Sequence, residues 1–148
     1  MILNGRQYKV TKAQVARLQM ALGAARKLRK KMDARAYKAM VVGFQSQVAE
    51  LRGQLREYEG LRRAKVLRLE SAELLAEVLI KGRIARGYTQ RDLAEKLDVK
   101  PQQIQRYEAT RYQTASLRRM LDIMRVLGLE LRADVPLGPQ SDLDSAEM

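Results

Sequence analysis

From Tyr37 onward, seven apolar residues (Tyr37, Val41, Phe44, Val48, Leu51, Leu55 and Tyr58) follow one another at intervals of 4, 3, 4, 3, 4 and 3. That alternation keeps one stripe of a helix apolar over about three heptads, long enough to favour coiled-coil packing. No proline occurs before Pro101, so nothing in the first hundred residues forces a helix to break. The pattern demands an apolar partner for the helix. That partner is either a second subunit, giving a coiled-coil dimer or larger assembly, or an earlier helix of the same chain folded back as a hairpin.

The preceding residues supply such a helix. Asn4-Gly5 carries a turn signal, and Arg6 to Val10 reads as a short extended piece. Thr11 and Gln14 form a capping-box pattern, with Val10 and Val15 placed to staple across it. A helix over about 12–30 is predicted, apolar at Val15, Leu18, Leu22 and Ala25. Asp33 is a fresh N-cap for the seam helix. Gly60 and the charged residues 61–65 read as a connector, with 65–69 briefly extended.

Beyond it the punctuation becomes dense. Ser71 is expected to cap a helix over 72–86, with Leu75, Leu79, Ile80 and Ile84 inward and Gly87 as its stop. Thr89 caps a very short helix over 90–97, apolar at Leu93, Ala94 and Leu97. Only Asp98, Val99 and Lys100 precede the next helix, over 101–108, which opens on Pro101, favourable in a first turn. It buries Ile104 and Tyr107 and leaves Gln102, Gln103, Gln105 and Arg106 outward or sideways. Ser116 caps a helix over 117–127 with Leu117, Leu121, Met124 and Leu127 inward. Leu129, Leu131, Ala133 and Val135 then alternate with polar residues as a half-buried strand. A lone strand needs a partner, such as its copy in a second subunit; the alternative is an extended tail lying on its own domain. Residues 136–148 read as a disordered acidic tail.

Composition narrows the chemistry. The 148 residues contain no His and no Cys, which excludes a disulfide, a Cys/His zinc site, a thiol nucleophile and a histidine base. No phosphate-binding glycine loop occurs, and no apolar run approaches the ~18 residues of a membrane span. The expectation is a cytoplasmic protein that is not an enzyme, with no cofactor, no metal and no membrane partner. The net charge is +12, and it is unevenly placed. Residues 1–65 hold 16 Lys and Arg against 4 acids, whereas residues 66–148 hold 13 of each. Such a basic half seeks polyanions.

Two short helices joined by a three-residue turn, the second presenting Gln and Arg, constitute a helix-turn-helix. Gln can pair with adenine and Arg with guanine in the major groove. The run from Gly87 to Glu108 resembles the phage-repressor or Cro type of helix-turn-helix, the XRE family, with Thr89-Gln90, Leu93-Ala94, Leu97, Val99, Ile104 and Glu108 in register. The resemblance covers about residues 72–131. It implies base contacts from Gln102, Gln103 and Arg106, with Lys100 at the edge. Phosphate contacts are expected from Thr89, Gln90, Arg91 and Arg111, and a structural salt bridge from Arg83 and Glu108. Ala109-Thr110 departs from the family, which often places a glycine turn there. Plain solvation of Gln102 and Gln103 is the alternative to direct contact, and Tyr107 is read as core, the alternative being a stacking platform. The final strand resembles that of antitoxins of the HipB and HigA kind.

The reading is therefore an all-α protein: a basic helical hairpin or coiled coil over 1–65, a Cro/repressor-type helix-turn-helix domain over 66–135 ending in a short β-strand, and a tail over 136–148. It is expected to bind double-stranded DNA as a dimer or higher oligomer, with recognition helices about 34 Å apart, and to repress by steric block. An antitoxin that binds an acidic toxin protein and represses its own operon is the alternative; a coiled-coil adaptor is a further one. The cluster Arg26, Lys27, Arg29, Lys30 and Lys31 is a candidate auxiliary contact to DNA or to such a partner, the alternative being a solvated charge run.

Overall fold

The computed structural model describes residues 1–138; the part of the expected tail from 139 onward lies outside them. Six α-helices follow in order: α1 (Gly5–Arg26), α2 (Ala34–Arg63), α3 (Leu75–Ala85), α4 (Gln90–Lys96), α5 (Pro101–Ala109) and α6 (Leu117–Leu127). A 3₁₀ turn, Ala72–Leu74, leads into α3.

Helix α1 is capped seven residues before Thr11, so Arg6 to Val10 is helical and not extended. Asn4 is the N-cap. Its side chain accepts from Gln7 N–H at 2.9 Å, and Gln7 Oε1 accepts from Leu3 N–H at 2.7 Å. Asn4-x-x-Gln7 is the same kind of pattern as Thr11-x-x-Gln14, and the earlier instance wins because it adds two further helical turns of contact with α2. Helix α1 also stops early, at Arg26, and residues 27–32 turn the chain over.

Asp33 caps α2, accepting from Ala36 N–H at 3.0 Å. The helix runs unbroken through Gly60 to Arg63, where a connector was expected. The whole seam from Tyr37 to Tyr58 is half-buried or buried, with Val48 the most enclosed, and α1 packs along it as an antiparallel hairpin. At the open end, Tyr8 and Tyr58 stack at 5.0 Å and the Tyr8 hydroxyl donates to Glu59 at 2.6 Å. That hydrogen bond lifts the Tyr8 phenol above its ordinary value.

Helices α3 to α6 enclose the main core, built from Leu79, Ile84, Leu93, Ala94, Ile104, Ile123 and Leu127, among others. Leu3, Tyr58 and Leu61 pack against the same cluster, so the base of the hairpin is continuous with this core. The Arg62 guanidinium donates to the carbonyls of Ile84 and Ala85 at the end of α3, where Ile84 C=O also accepts from Gly87 N–H.

Two expectations near the C-terminus fail. On α6, Leu117 and Leu121 are exposed, not inward. The inward arc is centred on Met120, Ile123, Met124 and Leu127, and at 100° per residue Leu117 and Leu121 fall over its edge. The strand at 129–135 is also absent among the described residues. Gly128, at φ +62, ends α6, and Leu129 N–H returns to Met124 C=O, a Schellman closure. Leu129 then folds over Gly82, within 2.8 Å of where a Cβ would lie. One member of the alternation is spent on this closure. Leu131 and Val135 stay exposed, with no neighbouring strand to pair their backbone.

Candidate nucleic-acid interface

Helix α4 is opened by a full capping box. Thr89 Oγ1 accepts from Asp92 N–H at 3.0 Å, and Asp92 Oδ2 accepts from Thr89 N–H at 2.7 Å. The Thr89 amide holds the Asp92 carboxyl below its ordinary range, and the Thr89 hydroxyl adds to that effect. Between α4 and α5 the chain reverses at Asp98, which takes φ +52, and Val99 N–H closes back on Ala94 C=O at 3.0 Å. Asp tolerates that left-handed geometry better than most residues. Lys100 is the N-cap of α5 and Pro101 its first residue.

Helix α5 buries Ile104, Tyr107 and Glu108, which fixes its outward face as Gln102, Gln105, Arg106 and Ala109. Gln102 and Arg106 are exposed, and neither side chain has a hydrogen-bond or ion-pair partner among the described residues. Lys100 is exposed at the start of the same helix. Gln103 lies to the side, and its amide donates to the Tyr107 hydroxyl at 2.7 Å. Gln105 was read from sequence only as outward or sideways and given no role. It lines a cleft with Met1, Asn4, Gln7 and Glu57, a neighbourhood that needs the N-terminal segment to fold back and so has no local signal.

Behind this face lies a buried charged pair. Arg83 Nε and Nη2 donate to the two carboxylate oxygens of Glu108 at 2.6 and 2.9 Å, with both side chains nearly inaccessible. Arg83 Nη1 donates further to Tyr88 C=O at 2.8 Å and Leu3 C=O at 3.1 Å. Gln90 completes the network, its amide donating to Glu108 at 2.7 Å. A buried bidentate pair with its remaining donors satisfied sets the angle of α5 against α3.

Three of the four residues expected to meet phosphate have partners within the protein. Gln90 directs its amide inward to Glu108, Thr89 gives its hydroxyl to the capping box, and Arg91 pairs with Glu95 at 3.1 Å on the surface. Arg111 is exposed, at φ +48 in the turn after α5. Arg26, Lys27, Arg29, Lys30 and Lys31 are exposed at the closed end of the hairpin, away from α5. Among the described residues no group of carboxylates could hold a metal ion, and no helix is long and apolar enough to cross a membrane.

Comparison with known proteins agrees with this architecture. A family model described as helix-turn-helix matches residues 79–133, which span the end of α3 through α6. A protein of Yarrowia lipolytica (strain CLIB 122 / E 150) named multi-protein-binding factor 1 is 39% identical over 69 residues. The match spans 45% of this chain and 45% of the length of that relative. No solved structure matches the chain. Residues 79–133 form a helix-turn-helix domain, as the matching family model and the geometry of α4 and α5 both give.

Proposed function

We propose that the chain is a sequence-specific repressor of transcription that inserts α5 into the major groove of double-stranded DNA. The observation that carries this reading is the pair Gln102 and Arg106, four residues apart on the outward face and without protein partners. Arg106 suits the O6/N7 edge of guanine and Gln102 the N6/N7 edge of adenine, each worth about 1–3 kcal/mol of discrimination. Lys100 and Gln103 flank them, and Gln105 joins the face at its edge. Arg111 is the phosphate contact best left free, with Thr89, Gln90 and Arg91 playing that part once they exchange partners.

The protein acts as a dimer or higher oligomer, which places two copies of α5 about 34 Å apart on a near-palindromic site. Leu117 and Leu121, exposed on α6, support self-association. In this organisation residues 1–65 form the basic arm and 66–135 the reading domain. The relative's printed name supports a second role, binding of a protein partner.

Selection of duplexes from a random pool tests the reading. Enrichment of one repeated half-site supports it, and equal retention of all sequences overturns it. Co-purification of a stoichiometric acidic protein would establish the second role.

A further inference from the structure

We propose that the closed end of the hairpin is a second phosphate-binding surface, gripping duplex DNA about one helical turn away from the site read by α5. The proposal rests on the reading of α5 given above.

Residues 1–49 carry eleven Lys and Arg and a single acid, Asp33. All eleven cations are exposed, and none has a carboxylate within ion-pair distance among the described residues. Five of them, Arg26, Lys27, Arg29, Lys30 and Lys31, crowd into the turn between α1 and α2. Like charges held this close repel, and Asp33 is the single carboxylate in the turn to offset that cost. Residues 66–135 hold 13 Lys and Arg against 10 acids, a net of +3 beside the +10 of residues 1–49, so the arm carries most of the charge with which to hold a polyanion.

The arm is rigid and fixed in direction. Its base is held to the helix-turn-helix by Arg83 on Leu3 C=O, by Arg62 on the end of α3, and by Leu3, Tyr58 and Leu61 in the shared core. From that base, the 22 residues of α1 extend about 33 Å. One turn of B-DNA is about 34 Å. An arm of this length lying along the duplex returns its tip to the same side of the helix, one turn beyond the half-site.

The chemistry of the tip selects the partner. Protein interfaces are anchored by aromatic and apolar residues with charge at the rim. Here Leu28, at 41% exposure, is the sole large apolar side chain exposed between residues 26 and 38. Many cations with almost no apolar anchor suit a phosphate backbone, which offers charge and no pocket.

The test compares the full chain with a variant carrying Arg26→Gln, Lys27→Gln, Arg29→Gln, Lys30→Gln and Lys31→Gln, on a 40-base-pair duplex selected by the wild type. Hydroxyl-radical footprinting should show backbone protection about ten base pairs beyond each half-site in the wild type and its loss in the variant. The slope of log K against log salt should fall in magnitude by about 0.9 for each phosphate released, about 4.5 for the five of one arm, with the base preference kept. Melting of both proteins, followed by circular dichroism, should coincide because the five positions are exposed. An unchanged slope and footprint overturn the proposal while leaving the reading of α5 intact. A wild type that selects no sequence contradicts the reading of α5, and with it the one-turn register.

Discussion

Arg83 Nη1 donates to the carbonyl oxygen of Leu3 at 3.1 Å, joining residues eighty positions apart. The same guanidinium that fixes the recognition helix through Glu108 therefore also anchors the first residues of the hairpin. Arm and reading domain share one buried cation. Arg83→Met should cost about 3–5 kcal/mol, because Glu108 is left as an uncompensated buried charge. Urea denaturation measures the loss, and hydrogen exchange should show the first turn of α1 opening faster. A loss under about 1 kcal/mol would mean that the pair carries little of the packing.

The capping box gives a pH signature. Asp92 is held below its ordinary value by Thr89, and Glu77 by Lys81. A carboxylate whose folded value is depressed adds stability above its unfolded value, and that stability is lost as the pH falls through the folded value. Stability should therefore be flat near neutrality and decline from about pH 5 towards pH 2. Asp92→Ala should flatten part of that decline, and Thr89→Ala should cost about 1 kcal/mol at neutral pH. Identical pH profiles for wild type and Asp92→Ala would contradict the assignment.

Tyr112 carries a hydroxyl with no hydrogen-bond partner among the described residues, in a nearly closed site, and its ring stacks on Tyr107 with centroids 6.0 Å apart. Burial pushes its phenol well above the ordinary range, and the Glu108 charge pushes it further the same way. Removing an unsatisfied buried hydroxyl relieves a desolvation cost, so Tyr112→Phe should raise stability by about 1 kcal/mol. A comparable loss would show that the hydroxyl has a partner in solution.

Gly87 stands at φ +73, and a Cβ there would run into the Arg62 guanidinium. Gly87→Ala combines the left-handed penalty with displacement of the Arg62 cap from Ile84 and Ala85, for a loss of about 2 kcal/mol. In the Arg62→Ala background the loss should shrink towards about 1 kcal/mol, the backbone part alone. A double-mutant cycle reads the difference.

What was legible in the sequence was local. Thr89, Pro101 and Ser116 sit at helix starts for reasons contained within four residues, so α4, α5 and α6 begin where the punctuation puts them. The seam of α2 could be read because six regular intervals leave little freedom of face. The start of α1 could not be, since Asn4 and Thr11 offer the same pattern and only the packing of α1 along α2 decides between them. The exposure of Leu117 and Leu121 has no local signal, because an apolar residue at helical spacing gives no warning that it sits beyond the buried arc. The strand failed because alternation describes a segment and not its partner. In the candidate interface, the outward face of α5 followed from Ile104 and Tyr107. The inward turn of Gln90 towards Glu108 depends on a pair of residues 18 apart.

The central claim is that Arg106 and Gln102 read bases. The most direct measurement is anisotropy titration of wild type, Arg106→Ala and Gln102→Ala against a selected duplex and its set of single base-pair changes. Each variant should lose about 1–3 kcal/mol of discrimination at one base-pair position and little elsewhere, with an unchanged melting temperature. Variants that weaken binding equally on every duplex, or not at all, would contradict base reading by this face.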